Sequence, residues 1–477
     1  MNILLLNPSG RSPTLGLDDF IKAPPLGLMS LAGIPDPDKH KVKIIDLKYK
    51  NWSQNKLKKV FEKSDIIGIT CLTPSVNHTI ELTRLAKQTN PKATTMVGGY
   101  HPTLDPNMIE EKSIDIIIKS EGEDTFKELI EGEKPLKDIK GISFSRDDGT
   151  VHHNELRPLI EDLDELPFPD RTITKKNFYS YFGLSVDNLE SARGCPHSCY
   201  FCCVTVHNRR RWRAKSPQRV IEEIEQMNRG RRWYTFCDSS FTIRMDRVKE
   251  ICDLIIEHGL SYKYYSAQGR VDDIVKHPKI VDRMAEAGFK MLFIGIESVK
   301  QASLDKIGKR TTIEQNKEAI ESLHDHGITI FGSMIIGNVG ETIEDVKRDI
   351  EFCEKMDIDI MQFTPLTPYP GTKLYEEALE KDWIKNFDWE DWNLVDPIMR
   401  TPDLSIKEIK ELVTYAYKTF YLKSIFNRNS WVWRGARRIS MSPLSWFWRE
   451  VPSFLVSSIP AIFKFARRLD KMKTSFK

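Results

Sequence analysis

The stretch RGCPHSCYFCC, residues 193–203, carries Cys195, Cys199 and Cys202 in a C-x3-C-x2-C pattern, and Cys203 follows at once. A four-cysteine zinc site needs two well-spaced pairs, because zinc takes four tetrahedral ligands. Only three thiols are well placed here, since Cys203 adjoins Cys202 and both could hardly reach one ion. Three thiolates on a 4Fe-4S cluster leave one iron open to a small molecule. The pattern therefore predicts a 4Fe-4S cluster on Cys195, Cys199 and Cys202, with Cys203 as a packed small residue; ordinary thiols or a zinc knuckle are the alternatives.

Length and composition indicate an ordinary water-soluble chain. Its 477 residues are enough for two or three domains, and it is 40% hydrophobic and 29% charged. Eight cysteines are too few for a disulfide scaffold of this size. The start, MNILLLNPSG, lacks the basic flank and long apolar core of a signal peptide, and no stretch approaches the roughly 18 apolar residues of a membrane span. We expect a cytoplasmic protein with reduced thiols, in which the four scattered cysteines, Cys71, Cys237, Cys252 and Cys353, lie in the core.

Residues 1–135 alternate short β-branched runs with helical patterns, as in DIIGITCLT (65–73) followed by SVNHTIELTRLAKQ (75–88). Continuous apolar strands separated by helices predict a doubly wound, Rossmann-like parallel sheet. Ligands of such folds bind outside the carboxyl ends of the strands, where glycine and small polar residues dominate this sequence. The candidate ligand-binding residues at these ends are Thr73, Gly98, Gly99, His101, Glu121 and Gly122.

The rest of the chain divides into three segments. Residues 136–185 predict a hairpin, with an Asp-Asp-Gly turn, and a proline-punctuated acidic linker. Residues 186–400 alternate strand and helix about six times, which predicts a partial (β/α)6 relative of the TIM barrel with its chemistry at the carboxyl ends of the strands. The first of these strands is predicted at 188–193, directly before the cysteines. Residues 401–477 begin with a helix and continue as a helical extension into a basic, Trp-rich tail.

The cysteine motif, with aromatic Phe201 before its last cysteine, resembles the signature of the radical S-adenosylmethionine (SAM) superfamily. The resemblance implies that the open iron binds the amino and carboxylate groups of SAM. It also implies that an electron from the reduced cluster cleaves SAM to a 5′-deoxyadenosyl radical, which abstracts hydrogen from a substrate. In such enzymes the protein supplies positioning and the exclusion of water. The electron would come from a donor such as flavodoxin or ferredoxin.

Softer motifs of the superfamily add candidate SAM contacts. FCDSSFT (236–242) resembles the segment that meets the SAM amino group, and YYSAQGRVD (264–272) resembles the region of ribose and carboxylate contacts. GIES (295–298) ends a strand that faces the same site, and GSMIIGNVGET (332–342) resembles the strand under adenine. A turn or cap remains the alternative for each single residue; Arg270 could lie on the surface and Glu297 could be a helix N-terminal acid. The candidates are Asp238, Ser239, Ser266, Gln268, Arg270, Glu297 and Gly337.

TPYPGTKLYEE (367–377) resembles the last strand end of the superfamily subset that carries an N-terminal cobalamin-binding domain. That subset includes hopanoid C-2 methylases, archaeal tetraether-lipid ring synthases and the anaerobic magnesium-protoporphyrin ester cyclase. The resemblance implies that residues 1–135 bind cobalamin. The Asp-x-His-x-x-Gly motif that places histidine on cobalt in other cobalamin domains is absent. We therefore predict that cobalamin binds without a protein histidine on cobalt, so that His101 does not coordinate the metal.

From residue 423 onward the chain carries twelve Lys/Arg residues against Glu450 and Asp470, together with four of its ten tryptophans. Tryptophan prefers the water–lipid boundary, and basic residues favour anionic lipid, so the tail predicts peripheral membrane association. Nucleic-acid binding and a plain helical cap are the alternatives; with no base-reading module we expect no nucleic-acid partner. Membrane contact and the resemblance together imply a methyltransferase or C–C bond-forming cyclase of lipid biosynthesis that acts on a hydrophobic substrate. The alternatives are a porphyrin cyclase without methyl transfer and a non-catalytic cobalamin or iron–sulfur sensor.

Overall fold

The computed structural model describes residues 1–10, 21–146, 148–181, 183–227 and 230–422, so the tail from residue 423 lies outside the described residues. The strands of this part are β1 Asn2–Asn7, β2 Ile21–Lys22, β3 Lys41–Asp46, β4 Ile66–Thr70, β5 Thr94–Gly98, β6 Ile116–Ile118, β7 Ile142–Ser145, β8 Val151–His153, β9 Ser180–Tyr181, β10 Leu184–Leu189, β11 Ala192–Arg193, β12 Arg213–Ala214, β13 Trp233–Phe236, β14 Tyr264–Gly269, β15 Phe289–Glu297, β16 Thr329–Ile336 and β17 Ile360–Pro365. The α-helices are α1 Leu26–Ala32, α2 Gln54–Phe61, α3 Val76–Thr89, α4 Tyr100–Leu104, α5 Glu123–Glu131, α6 Thr172–Lys176, α7 Cys203–His207, α8 Pro217–Gln226, α9 Met245–Glu257, α10 Val271–Lys276, α11 Pro278–Ala287, α12 Gln301–Lys306, α13 Ile313–Asp325, α14 Ile343–Lys355, α15 Lys373–Glu380 and α16 Ile406–Tyr417.

Five parallel strands in the order β3-β1-β4-β5-β6 form the parallel part of the N-terminal sheet. The apolar run of β1 is buried on both faces, because helices cover both sides of the sheet. Ile3 and Leu5 pack with α1 and α5, whereas Leu4 and Leu6 pack with α2 and α3. The predicted doubly wound fold of this region is confirmed.

The predicted hairpin is present as β7 and β8, which pair antiparallel through a turn that contains Gly149 at φ +82°. The hairpin extends the N-terminal sheet, because β7 pairs antiparallel with β6. Conversely, β2 pairs with β9 at the edge of the second sheet. Both sheets thus recruit strands across the predicted segment boundaries at 135 and 185, and the four-segment division stays a prediction.

Six parallel strands in the order β17-β16-β15-β14-β13-β10 form the second sheet, and β9 and β2 continue its β10 edge. The amphipathic helices between the strands cover the outside and share one large core with them. Trp233, Met291, Phe331 and Ile360 come from neighbouring strands and fill the inner face in a separate cluster. This is the predicted partial barrel, and its strands direct their carboxyl ends to one rim.

One strand boundary of the prediction is wrong. The first barrel strand is β10, Leu184–Leu189, rather than 188–193, and it contains the buried Asp187 and Asn188. Arg171 compensates these polar groups, since its Nη1 donates to Asp187 Oδ1 at 2.8 Å and to the Asn188 carbonyl at 2.9 Å. The strand therefore begins four residues earlier than predicted, and the ion pair that allows Asp187 to be buried joins two segments that the local sequence does not connect.

Helix α16 and the helical turn Lys418–Leu422 that follows it cover the open edge of the barrel sheet. The β17 backbone N–H groups of Met361 and Phe363 donate to the hydroxyls of Tyr421 and Tyr417 at 3.0 and 3.3 Å. Edge-strand backbone groups need such partners when they are buried. Among the described helices none is long and apolar enough to cross a membrane.

Candidate active site

The three motif cysteines lie in a loop at the carboxyl-end rim of the barrel. The loop starts and ends in the two-stranded ribbon of β11 and β12. Gly194 begins it at φ +83°, and a Cβ there would lie 2.0 Å from the Arg211 carbonyl oxygen, so only glycine fits. Within the loop, the Tyr200 N–H donates to the Ile307 carbonyl at 3.0 Å, which ties the motif to the segment after α12.

The three thiols lie close enough to influence one another. Burial raises the pKa of all three, and the Cys199 thiolate raises the pKa values of Cys195 and Cys202 further. The positive charges of Lys309 and Arg270 act in the opposite direction and lower the pKa of Cys199. Metal coordination deprotonates thiols outright, and cations beside them fit an anionic thiolate cluster.

In the described residues, no three His, Cys, Asp or Glu side chains converge tightly enough to hold a single metal ion. A cubane cluster does not need such convergence, because each cysteine binds a different iron. The donor set of three thiols and no further protein ligand therefore fits a 4Fe-4S cluster with one open iron better than it fits zinc. Cys203 begins α7 behind the motif and is partly buried, and burial raises the pKa of its thiol to about 11.

Opposite charges meet beside the cysteine loop at the ends of β14 and β15. Glu297 is buried and accepts from the Lys309 ammonium at 2.7 Å. Arg270 is buried too, and donates to Asp272 Oδ1 at 2.9 Å and to the Lys309 carbonyl at 2.8 Å. This arrangement offers a carboxylate and a guanidinium, the groups that complement the ammonium and carboxylate of an amino-acid ligand such as the methionine part of SAM.

Backbone strain is concentrated around this site. Eight described non-glycine residues have positive φ, and four of them are Glu297, Arg209, Arg210 and Arg310. Glu297 adopts φ +67° at a register shift between β15 and β16. Non-glycine residues in the left-handed region cost about 1–3 kcal/mol each and persist only where the surroundings hold them.

Two buried carboxyl groups hold the residue after Glu297. The Ser298 hydroxyl lies 2.8 Å from Glu341 Oε1 and 3.0 Å from Asp349 Oδ2, and Asp349 Oδ1 accepts from the Val299 N–H at 2.9 Å. One hydroxyl proton cannot serve both carboxylates, so a proton on Asp349 completes the chain of hydrogen bonds. Burial and the charge of Glu341 raise the pKa of Asp349 to about 8.

Replacement of Asp349 by asparagine is expected to weaken the pH dependence of stability. The native Asp349 keeps its proton up to about pH 8, whereas the unfolded chain loses it near pH 4. The native state thus binds more protons, so this group lowers the free energy of unfolding as the pH rises from about 4 to about 8, by up to ~1.4 kcal/mol per unit. Thermal denaturation between pH 5 and pH 8 should show a smaller decline of Tm for Asp349→Asn than for the wild type. Glu351→Gln, an exposed change on the same helix, should keep the wild-type decline; an unchanged slope in Asp349→Asn would contradict the assignment.

The other predicted SAM contacts occupy different surroundings. Gln268 is exposed at the end of β14, and Ser239 lines the cavity between the two sheets. Asp238 is buried and accepts from the Ser191 N–H and hydroxyl at 2.7 and 2.6 Å, and burial raises its pKa to about 6. The Ser266 hydroxyl is occupied by Trp233 Nε1 at 2.7 Å. Phe201 packs on an aromatic cluster around Trp392, and Gly337, at φ +82°, lies against Ile409.

A cavity of about 380 Å³ lies between the N-terminal sheet and the barrel. The N-terminal sheet contributes the carboxyl ends of β4, β5 and β6, including the predicted Gly98, Gly99, Glu121 and Gly122. The barrel contributes the start of the cysteine loop and Cys237, whose side chain is exposed in the cavity rather than part of the core as predicted. The remaining scattered cysteines, Cys71, Cys252 and Cys353, are buried.

Buried ion pairs join the N-terminal sheet to the ribbon of β11 and β12 at this cavity. Arg213 Nη1 donates to both oxygens of Glu121, at 2.9 and 2.8 Å, and the Ile160 N–H donates to Glu121 Oε2 at 2.7 Å. Arg193 donates to Glu121, Glu123 and Glu190 at 3.1, 2.6 and 2.7 Å. The predicted ligand residue Glu121 is thus also a structural link between the N-terminal sheet and the ribbon that carries the cysteine loop.

Thr73 and His101 are not among the residues that line the cavity. His101 is buried against Trp389, with ring centroids 4.8 Å apart, and its Nδ1 lies 3.3 Å from Thr73 Oγ1. Burial lowers the pKa of His101 to about 4. A role of these two residues in cofactor binding stays a prediction, as does the absence of histidine from cobalt.

Sequence reasoning missed two polar groups that do line the cavity. His207 stacks on Tyr100 with ring centroids 4.3 Å apart, and its buried Nδ1 has no hydrogen-bond partner in the described part of the chain. Ser120 Oγ is likewise buried and unpartnered there. With the glycines at the strand ends, these groups fit a large ligand that carries many amides, as cobalamin does. A lone histidine after a cysteine motif gives no sequence signal of this position.

Comparison with known families agrees with the two-sheet architecture. Residues 189–353 match the family described as the Radical SAM superfamily, and residues 21–130 match the B12 binding domain. The first match includes the cysteine loop and β13–β16, and the second includes the strand ends that line the cavity.

Similar proteins span nearly the whole chain. An uncharacterized methyltransferase of Pyrococcus horikoshii is 34% identical over 92% of this chain and 97% of its own length. The anaerobic magnesium-protoporphyrin IX monomethyl ester cyclase of Rubrivivax gelatinosus is 29% identical over 89% of this chain and 78% of its own. The structure of the cobalamin-dependent SAM radical enzyme OxsB, with aqua-cobalamin and SAM bound, has a TM-score of 0.70 at 19% identity and covers 97% of this chain and 72% of its own.

Proposed function

The chain belongs to the cobalamin-dependent radical SAM enzymes, and we propose that within this family it methylates an unactivated carbon of a hydrophobic substrate. Its cofactors are a 4Fe-4S cluster, SAM and cobalamin. The observation that carries the proposal is the cavity between the sheets, which joins the predicted cobalamin-side glycines to the start of the cysteine loop at Gly194. A methyl carrier in this cavity and a hydrogen-abstracting group at the cysteines would face one reaction space. We further propose the division into a cobalamin domain (1–135), a hairpin and linker (136–185), a radical SAM core (186–400) and a C-terminal extension (401–477).

The bound cofactors supply the radical and the methyl group, and this chain supplies the positions. In this proposal Cys195, Cys199 and Cys202 hold the cluster, whose open iron would bind the amino and carboxylate groups of SAM. Glu297 and Arg270 would contact the same two groups from the ends of β15 and β14. The burial of Arg270 and Glu297 excludes water from that site. Low local dielectric strengthens these contacts, and exclusion of water protects a radical from side reactions.

Aromatic residues at the rim favour a hydrophobic substrate. Tyr200, Phe201, Tyr369, Tyr375 and Trp389 are partly buried and pack against a core that contains Trp392. Two of them belong to the cysteine loop itself. An aromatic wall next to the reacting centre binds apolar or conjugated surfaces at low cost in side-chain entropy. A lipid and a porphyrin-like ring share an extended apolar surface, and the aromatic residues favour substrates of that kind.

Product analysis tests the proposed reaction. Reconstituted enzyme, methyl-deuterated SAM and a reductant are incubated with lipid extract or porphyrin, and the nucleoside products are quantified. Methylation predicts S-adenosylhomocysteine together with 5′-deoxyadenosine and a labelled product, since one SAM donates methyl and another provides the radical. 5′-Deoxyadenosine without S-adenosylhomocysteine would support ring closure, the reaction type of the similar cyclase, and overturn methyl transfer. Neither product, with cluster and cobalamin present, would support a sensor.

We also propose that the basic, Trp-rich tail binds anionic membrane surfaces. A chain shortened to residues 1–422 is expected to lose at least about tenfold in affinity for vesicles that contain anionic lipid, because several basic residues each contribute roughly 1 kcal/mol near such a surface. Co-sedimentation with anionic and zwitterionic vesicles measures the effect. The control replaces exposed Lys127 and Lys137 of the N-terminal region by alanine and should bind like the wild type. Equal binding of the shortened and full chains would contradict the proposal.

A further inference from the structure

Four exposed cations surround the outer side of the cysteine loop without ion-pair partners in the described residues. They are Arg210, Lys306, Arg310 and Lys373, and we call them the basic rim. Two other exposed cations near the barrel rim are paired, since Lys381 contacts Glu377 and Arg211 contacts Glu161 at 2.8 Å. Like charges that are gathered without neutralising partners indicate a surface that meets an anionic partner.

The first half of the basic rim lies directly on the cluster ligands. Arg210 and Lys373 line a cavity of about 280 Å³ together with Cys199 and Cys202. Arg209 and Arg210 both adopt the left-handed backbone region, at φ +50° and +56°. Arg209 is anchored, because its Nη2 donates to the Arg157 carbonyl at 2.7 Å. The strained pair thus fixes the backbone from which Arg210 reaches solvent beside two cysteines.

The second half comes from the segment after α12, which packs on the same loop. The Tyr200 N–H donates to the Ile307 carbonyl at 3.0 Å, and a Cβ on Gly308 would lie 3.5 Å from the Ser198 carbonyl oxygen. Lys306 and Arg310 flank these two contacts and are exposed. Three acids lie near the rim and offset part of its charge: Glu377 contacts Tyr200 and Lys381 and is also attracted by Lys306, Asp305 accepts from Gln301, and Glu376 lies in the first turn of α15. Within the described residues, none of them forms an ion pair with Arg210, Arg310 or Lys373.

We propose that the basic rim is the docking surface for an acidic one-electron donor protein of the flavodoxin or ferredoxin class. The inference rests on the proposed function, because only a cluster-bearing enzyme needs such a donor. Electron transfer falls steeply with distance, and the rim borders the cavity that two cluster ligands, Cys199 and Cys202, line. In the step itself the donor loses one electron and the cluster gains it; no bond forms or breaks. Opposite charges accelerate the encounter and orient the donor.

Stopped-flow reduction of the reconstituted, cluster-loaded chain tests the surface without SAM or substrate. Flavodoxin hydroquinone is the probe, and bleaching of the cluster absorbance is the readout. The double variant Arg210→Glu/Lys373→Glu is expected to lower the second-order rate constant about tenfold at low salt, and its rate should depend less on ionic strength than that of the wild type. The matched control, Lys127→Glu/Lys137→Glu, makes the same change in net charge on the N-terminal region and should stay within about twofold of the wild type.

Reduction by dithionite separates docking from damage. If the double variant binds a full complement of iron and dithionite reduces it at the wild-type rate, a slow reaction with flavodoxin supports the surface. Equal flavodoxin rates in variant and wild type would overturn the proposal. So would a loss of rate with both reductants, which would assign the cations to the cluster itself. Because the assay needs no turnover, a failure to methylate any substrate leaves its result intact.

Discussion

Replacement of Cys199 by alanine is expected to lower SAM cleavage by more than about 1,000-fold, because the whole acceleration depends on the cluster. Cys199 is the central thiol of the three, since it acts electrostatically on both Cys195 and Cys202. Lys309 and Arg270 add positive charge at its side. Without this ligand two thiols remain, and the predicted coordination of three irons is lost. Iron content after anaerobic reconstitution and 5′-deoxyadenosine formed with dithionite measure the effect.

Cys203 offers a matched control on the next residue of the motif. It lies at the start of α7, and Cys195, Cys199 and Cys202 are the proposed iron ligands, so Cys203 binds no iron in this proposal. Cys203→Ser should therefore keep the iron content and the cleavage rate within about threefold of the wild type, as a substitution outside the reacting groups does. A zinc site, or iron held equally by Cys203, would reverse this ranking: Cys203→Ser would then lose metal, or anaerobically purified protein would contain zinc.

Local sequence was sufficient for the parts of the molecule that local chemistry determines. The cysteine motif depends on spacing within eight residues, and the apolar strands depend on runs of five or six. The cavity residues Gly98, Gly99 and Gly122 were predictable too, because parallel strands bring their carboxyl ends to one edge. The fold class and its two main sheets follow from these signals.

Interactions between distant residues were not predictable. Strand β10 lies four residues earlier than predicted, and Arg171, which allows Asp187 and Asn188 to be buried there, belongs to a different segment. The Ser298 hydroxyl contacts Glu341 and Asp349, which lie 43 and 51 positions further along the chain. His207 gained its place in the cavity by stacking on Tyr100, across the boundary of two sheets. No periodicity of the sequence indicates such contacts between distant residues, so they become visible only in the folded structure.

Replacement of Arg213 by methionine is expected to destabilise the protein by about 3 kcal/mol, because it leaves the buried Glu121 without its closest cation. The side chains of Arg213 and Glu121 are 4% and 7% exposed and their nearest atoms are 2.8 Å apart. Arg193 remains at 3.1 Å from Glu121, which holds the cost at the lower end of the range for broken buried pairs. Since Glu121 also lines the cavity between the sheets, cobalamin retention should fall with stability. Thermal denaturation and cobalamin content after gel filtration measure both.

Arg211 provides the comparison two residues away. The paired side chains of Arg211 and Glu161 are 58% and 61% exposed. Arg211→Met should therefore lower the free energy of unfolding by at most about 1 kcal/mol and leave cobalamin bound. A second comparison isolates the buried charge. Glu121→Gln combined with Arg213→Met removes both partners, and it should be less destabilised than Arg213→Met alone, since the uncompensated carboxylate is gone. If instead the double variant is the less stable of the two, Arg193 and the Ile160 N–H stabilise the Glu121 carboxylate without Arg213, and the cost of Arg213→Met does not come from an uncompensated charge. Equal stability of Arg211→Met and Arg213→Met would contradict the link between the N-terminal sheet and the ribbon altogether, because then the buried ion pair would be no more important than one in solvent.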